Sequence, residues 1–535
     1  MPDTLPNFER IALNRVTFGA RDTEIAAVQR DGWSVWVEEQ LNPPVGDDAT
    51  LDHYLRSLIV HIQYDAFDDK RLNYHNVAVN EDRPLNYLYA PHEQIWSTAR
   101  KVPWSIAPAE TNRMEFELIS GIFMRNAHSH YQLREFMTDF WLNHFNVAKS
   151  KGTLVAVSAI AYDRDVIRPN VFGNFRQMLE AVASSAAMLW YLDNAGSTAA
   201  LPNENYAREL MELHTMGRDA YFGKNPGGED VSAKGFTDED IVQASRALSG
   251  WTVQFGQNGA LPGTASYMQV TYPDNGKFIY NSTAHNTEAG RFLGFDLSTI
   301  TDNNSSQGKK VLDLVAYHPA TAPFICGKIC QRIFGDTPPA SVVLRAVNAW
   351  NVYRDSPDQI EHVLRAILLD GAEIGTGPCV KIRRPYERFI AMIRTTDTVV
   401  GPDFAWTWYF TDLNDSPFNW ATPDGRPDTN EFWLSTYAHV TTWEYMKRIS
   451  DTGGLTTSFR AQTPVEVLKS PTLLVEYWLA RMIGTTLNDE AMAALIDLGA
   501  GLPPPASGDI DLYWETAFAR HVIATIAAAP EFVLR

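Results

Sequence analysis

The sequence predicts a mainly α protein: one large helical domain carrying a small β hairpin or sheet as an insertion. Three observations predict it. Apolar residues recur at helical spacing along most of the chain. Strand signals concentrate in one stretch, between Trp251 and Tyr280. Hydrophobic residues make up 45% of the composition against 20% charged, which supplies enough apolar surface for a sizeable core.

In chain order, the first helical region runs from Glu24 to Leu41, with Ile25, Val28, Trp33, Trp36, Val37 and Leu41 on its apolar side and a break near Gly32. Asn112 to Phe145 reads as two helices joined near Asn126–His130. Further helices are expected at about Phe175–Trp190, Asn203–Met216, Thr237–Leu248, Gly308–Phe334, Ser356–Leu369, Arg383–Arg394, Pro464–Ile483, Asp489–Leu498 and Ile510–Ala528. Asp, Asn, Ser or Thr precedes several of them, where a side-chain oxygen can accept from the free N–H groups of a first turn. "TVQFG", "ASYMQVTY" and "KFIYN", separated by Gly, Pro and Asn, form the expected hairpin or three-stranded sheet near 251–285. A soft boundary at "EIGTGPC" divides a main body, 1–375, from a C-terminal helical portion, 376–535, packed on it. The segments 42–50 and 401–430 read as irregular, the second rich in aromatics.

Charge narrows the partners. With 64 acidic against 45 basic residues the formal charge is −19, a surface that repels phosphate backbones, so no nucleic acid partner is expected. No stretch approaches the ~18 apolar residues of a spanning helix, and "MPDTLPNFER" lacks the basic and apolar regions of a secretory signal. A soluble chain is expected, cytoplasmic or exported after leader removal or with a partner. Three cysteines, Cys326, Cys330 and Cys379, do not make a disulfide framework; Cys326 and Cys330, four apart, share a helix face as small apolar residues.

Several segments carry a resemblance in the same order along most of the chain. They are "ALNRVTFGARDTEIAAVQRDGWSVWVEEQLNPP", "FWLNHFNV", "YLDN" followed by "PNENYARELMELHTMG", "SRALSGW", "HNTEAGRFLG", "YHPATAPFICGKICQRIF" and the closing "APEFVLR". Together they resemble the bacterial family labelled domain of unknown function 1800. The resemblance implies a mostly helical fold and a setting beside genes for exported sulfatase-like or phosphatase-like proteins, hence a possible protein partner from a neighbouring gene. It implies no reaction. Leu142 stands where the central motif of that family often has a first His, and His214 where its helix usually carries an apolar residue.

The "PNENYAREL" helix holds the chemistry to be tested. At ~100° per residue, Tyr206, Leu210 and Leu213 form an apolar stripe and Asn205, Glu209 and Glu212 cluster beside it, with Glu204, Arg208 and Met211 opposite. Carboxylates at the edge of an apolar seam are partly desolvated, which raises a pKa toward that of a general acid. The same residues also suit a solvated helix whose acidic first turn favours the helix dipole. A second cluster, Glu135, Asp139, Asn143 and His144, ends the helix before "NHF". His144 suits a hydrogen-bonded structural role, acid–base work, or metal ligation, but the spacing matches neither HExxH nor paired ExxH motifs. Asp193 and Asn194 lead into the first cluster. His285, Arg246 and Trp251 are further candidates to line a cleft, although a solvated His, a paired Arg and a buried Trp explain them equally. Lys381, Arg383 and Arg384 read as a solvated helix start or an anion site.

No GxGxxG follows a strand, and GxxxxGK[ST], GxSxG and CxxC are absent, so no cofactor is expected. With 15 Trp and 21 Tyr among many Asp, Asn and Glu, the chain suits a cleft that stacks sugar rings and hydrogen-bonds hydroxyls. The expected function is a hydrolase acting on a carbohydrate-like small molecule or oligomer, of glycoside hydrolase type. Two carboxylates ~5–10 Å apart do that chemistry, one of them protonated. Glu209 or Glu212 with Asp193 or Asp139 is the expected catalytic pair. Asn205, Asn194, His144, Asn143, Trp251, His285 and Arg246 are the expected binding residues. The alternatives are a non-catalytic scaffold for an exported enzyme, in which the polar residues lock helices, and a metal-dependent hydrolase using His144, Asp139 and Glu209.

Overall fold

Residues 6–69, 74–101, 107–224, 229–256, 273–302, 304–401, 409–451, 459, 461–467, 470–500 and 519–535 are described by a computed structural model. Helices dominate it, and the described strands form four two-stranded antiparallel pairings. The expected breaks have visible causes. Gly32 lies at φ +96 between the helices Asp22–Asp31 and Trp33–Leu41, a conformation open to glycine. Thr237 caps Asp238–Ala247, its hydroxyl accepting from Asp240 N–H while the Asp240 carboxylate accepts from Thr237 N–H.

Two expected helices are each split. Ser185 accepts from Met188 N–H and starts Ala186–Tyr191 anew after Phe175–Ala183. His318 and Pro319 separate Ser306–Ala316 from Thr321–Phe334, with His318 Nδ1 accepting from Ala320 N–H. Among the expected strands, Trp251–Phe255 pairs with Asp274–Tyr280 around a bulge, while "ASYMQVTY" lies outside the described residues. A hairpin absent from the sequence reading joins Ile59–Tyr64 to Val79–Pro84. Its signal was present, since Val60 and Ile62 alternate with exposed neighbours.

One apolar cluster extends from Ala12 to Phe532 and includes residues on both sides of position 375. At its centre, Gln132–His144 is buried on nearly every face. Around it stand Ala107–His128, Thr321–Phe334 and Pro385–Thr395. Cys326 and Cys330 are both buried and unoxidised on the inner face of Thr321–Phe334. Among the described residues no helix is long and apolar enough to cross a membrane.

Candidate functional site

The "PNENYAREL" segment begins as an ordinary helix. Asn203 Oδ1 accepts from Tyr206 N–H at 3.0 Å, and its amide donates to Leu192 O at 2.7 Å, which fixes the start of Glu204–Glu209. From Leu210 to Thr215 the coil widens into a π turn. The Thr215 hydroxyl donates to Leu210 O at 2.7 Å, serving a carbonyl within the turn. The turn closes at Gly217, φ +87, whose N–H donates to Met211 O. A Cβ there would stand 2.7 Å from the Phe324 ring, so only glycine lets the two segments meet.

Tyr206, Leu210 and Leu213 are buried as the helical spacing predicts, and Glu209 and Glu212 sit half-buried at the edge of that seam. Met211, expected on the outer face, is fully buried, as is His214, because other segments cover this part of the helix on both sides. Asn205 is exposed.

Beside the turn opens a cleft of about 610 Å³, lined among others by Glu212, Arg218, Phe324, Lys328 and Asp424. Glu212 is held by Arg208 at 3.2 Å and Arg218 at 3.7 Å. Glu209 has no hydrogen bond or ion pair among the described residues. Burial lifts its pKa above the ordinary carboxylate range, and the charges of Glu212 and Asp424 add to the effect against Arg218 and Arg208. Asp424 is exposed, and its carboxylate accepts from the Thr422 hydroxyl at 2.6 Å, which in turn accepts from Trp420 Nε1 at 2.9 Å.

The "FWLNHFNV" segment holds this loop in place. Asn143 accepts from Arg426 N–H at 2.8 Å and donates to Arg426 O at 3.0 Å, while Asn146 donates to Trp420 O and Thr422 O. Tyr191, of "YLDN", donates to Ala421 O at 2.8 Å. Two of the segments that carry the family resemblance thus position Asp424 opposite the third. Asn143 therefore clamps a loop through its hydrogen bonds to Arg426.

A second, small cavity of about 30 Å³, the size of one water, lies behind the cleft between Asp139, His144, Lys328, Arg332, Arg384 and Asp428. Lys328 lines both spaces. His144 Nε2 donates to His214 O at 3.1 Å, which leaves Nδ1 as the acceptor for Lys328 Nζ, also at 3.1 Å. Burial and the Lys328 cation hold the His144 ring neutral, far below its usual pKa. His214 is pushed down to about 3 for the same reasons, and its Nε2 has no partner among the described residues.

Asp139 sits in a cage of cations. Arg332 at 3.0 Å, Arg426 at 2.9 Å and Arg384 all donate to it. Arg332 and Arg384 also reach Glu387, and Arg426 reaches Asp415 at 3.0 Å. Although burial opposes the charged form, the three guanidinium groups bring the Asp139 carboxyl down to about 2. It is a fixed anion, and the role of proton donor does not fit it. The basic run proves to be internal as well: Lys381 reaches Asp428 at 3.0 Å, Arg383 donates to Leu534 O and Asn14, and all three residues are buried. It is not a solvated helix start, because Arg383 holds the segment around Leu534, Lys381 holds Asp428 and Arg384 holds Asp139.

The remaining candidates lie apart from the cleft lining. Asp193, at φ +60, is exposed and paired with Lys151 at 2.7 Å. Asn194 is buried and donates to Leu248 O; Trp251 is buried against Gly308. His285 is locked between Ser249 O and Gln307, and Arg246 donates to Glu288 O. For the metal alternative, the described residues contain no group of three or more His, Cys, Asp or Glu placed to hold an ion.

The sequence reading missed Lys328, Asp424 and Arg218. Lys328 stands between the two cysteines that the reading did single out, and a lysine on a largely apolar helix was its only signal. Asp424 lies in the irregular, aromatic-rich segment 401–430, within the turn-forming "PDGRPD".

The profile of a family described as protein of unknown function (DUF1800) matches residues 11–534. No curated protein and no solved structure matches. The chain belongs to that family, and its mainly helical fold is the one the resemblance implied.

Proposed function

We propose that this family member is a hydrolase of a carbohydrate-like substrate, bound in the cleft between the π turn, the Thr321–Phe334 helix and the 420–428 loop. One observation carries the reading: Glu209 is a half-buried carboxylate with no partner among the described residues and a raised pKa, beside a second carboxylate in a different setting. A carboxylate whose pKa is raised suits proton donation, and a second carboxylate near it suits the other role of such a pair. Glu209 is the donor and Asp424, steadied by Thr422, the anion. Glu212 with Arg218, and the Phe324 ring, supply polar and stacking contacts to a sugar.

The test is release of nitrophenol from a panel of 4-nitrophenyl glycosides. Glu209→Gln is expected to lower kcat on any cleaved member by about 10²-fold or more, the usual contribution of a general acid. Full activity in both Glu209→Gln and Asp424→Asn overturns the assignment, and an inert wild-type chain counts against the substrate class. The competing reading, a non-catalytic partner for an exported enzyme, draws support from the cage at Asp139, where polar residues of a distinctive segment serve only internal bonds.

A further inference from the structure

Lys328 presents a half-buried cation with no carboxylate in ion-pair contact among the described residues. Its nearest anions are already committed: Asp428 to Lys381 at 3.0 Å, and Asp424 to the Thr422 hydroxyl at 2.6 Å. The neighbouring cations differ, since Arg332, Arg384, Arg426 and Lys381 each hold a carboxylate. What Lys328 has instead is the Nδ1 acceptor of a neutral imidazole at 3.1 Å and the Phe324 ring, 5.4 Å from its nitrogen. Neither contact demands a positive charge, because a neutral amine also donates to Nδ1. Lys328 lines both the cleft and the small cavity.

We propose that Lys328 is a carbonyl-capturing amine, which makes the substrate of the cleft a carbohydrate bearing an aldehyde or ketone. The inference rests on this cleft being the substrate site and needs no proton from Glu209. Burial, opposed only by the more distant Asp428 and Asp424, brings the ammonium down to about 8, so a useful fraction is neutral near physiological pH. The amine nitrogen attacks the carbonyl carbon and the C–O π electrons move to oxygen. The resulting carbinolamine loses that oxygen as water with both amine protons, leaving a C=N bond. No electrons are gained or lost overall.

Reductive trapping tests it. Wild-type protein is treated at pH 8 with glyceraldehyde and cyanoborohydride, whose hydride reduces the imine to a stable secondary amine, and modified lysines are mapped by mass spectrometry. Lys328 is expected to react about tenfold faster than exposed lysines such as Lys224 and Lys277, since an ordinary lysine stays protonated at that pH. A rate equal to or below theirs overturns the proposal. A second measurement guards against a purely structural lysine. Lys328→Met removes a charge that has no counter-ion among the described residues but leaves His144 Nδ1 without its donor, so its Tm is expected to stay near that of the wild type; a fall as large as that of Asp139→Ala overturns the proposal. Trapping requires no glycoside cleavage. A chain that captures the aldehyde but cleaves no nitrophenyl glycoside keeps this inference and loses the hydrolase reading, and the opposite pair of results does the reverse.

Discussion

The cage around Asp139 and the cleft beside Glu209 are built from the same residue types and treat charge in opposite ways. In the cage, Asp139, Glu387 and Asp415 are interleaved with Arg332, Arg384 and Arg426, so each buried charge has an opposite at bonding distance. At the cleft, Glu209 stands beside the lining with the charges of Glu212 and Asp424 set against those of Arg218 and Arg208, and Lys328 faces an imidazole. Buried charge is costly unless paired. The cage spends its polar groups on holding helices together, whereas the cleft leaves some unmet, as a site awaiting a ligand does. Identical chemistry in sequence thus becomes structure in one place and a candidate site in another.

The sharpest way to break this comparison is Asp139→Ala. It leaves three buried guanidinium groups short of a partner and is expected to cost about 3–5 kcal/mol, the usual penalty for removing one side of a buried pair. The urea midpoint should fall with little change in slope. Wild-type stability in this variant would show that the cage is not what holds the helices.

A smaller effect is expected at His214, which lies between the two regions with an unpartnered ring nitrogen. Its folded pKa, about 3, lies below the ordinary value, so the unfolded chain binds more protons and stability rises with pH between about 3 and 6.5. Burial depresses His128 to about 3 as well, and His144 shares the direction. His214→Leu is expected to stabilise by ~1 kcal/mol near neutral pH by removing an unsatisfied polar group, and to gain further on acidification toward pH 4. Denaturation midpoints at pH 7.5 and 4.5 measure both; an unchanged acid sensitivity would remove His214 from the account.

The smallest change sharpens the contrast from the other side. Glu209→Gln relieves a desolvated carboxylate facing like charges, and because the group is half exposed the gain is expected to stay below ~1 kcal/mol. A loss as large as that at Asp139, read in the same urea titration, would place Glu209 among the structural acids.

Much of the fold was legible because it depends on local pattern. Gly32, Thr237 and the apolar stripe of Tyr206, Leu210 and Leu213 act through spacing and caps that a reader can count. The site was legible only in part. Glu209 and Glu212 followed from their place at the edge of a seam, but Asp139 and Glu209 look alike on a helical wheel. Their difference comes from arginines up to 287 positions away.

The sequence by itself determined the helical class, many helix positions, the family segments and the acidic edge of the "PNENYAREL" helix, since each rests on neighbours within a turn or two. Phe8–Val16, His92–Lys101, Thr153–Ala161, Ala340–Val352 and Thr436–Asp451 were not among those positions. Tertiary structure decided which charges are met and which are left open. It brought Asp424 opposite the π turn through Asn143, Asn146 and Tyr191, caged Asp139, and set Lys328 against His144. The physical reason is that desolvation and pairing depend on what lies within a few ångströms in space, and that distance is fixed only when remote segments pack.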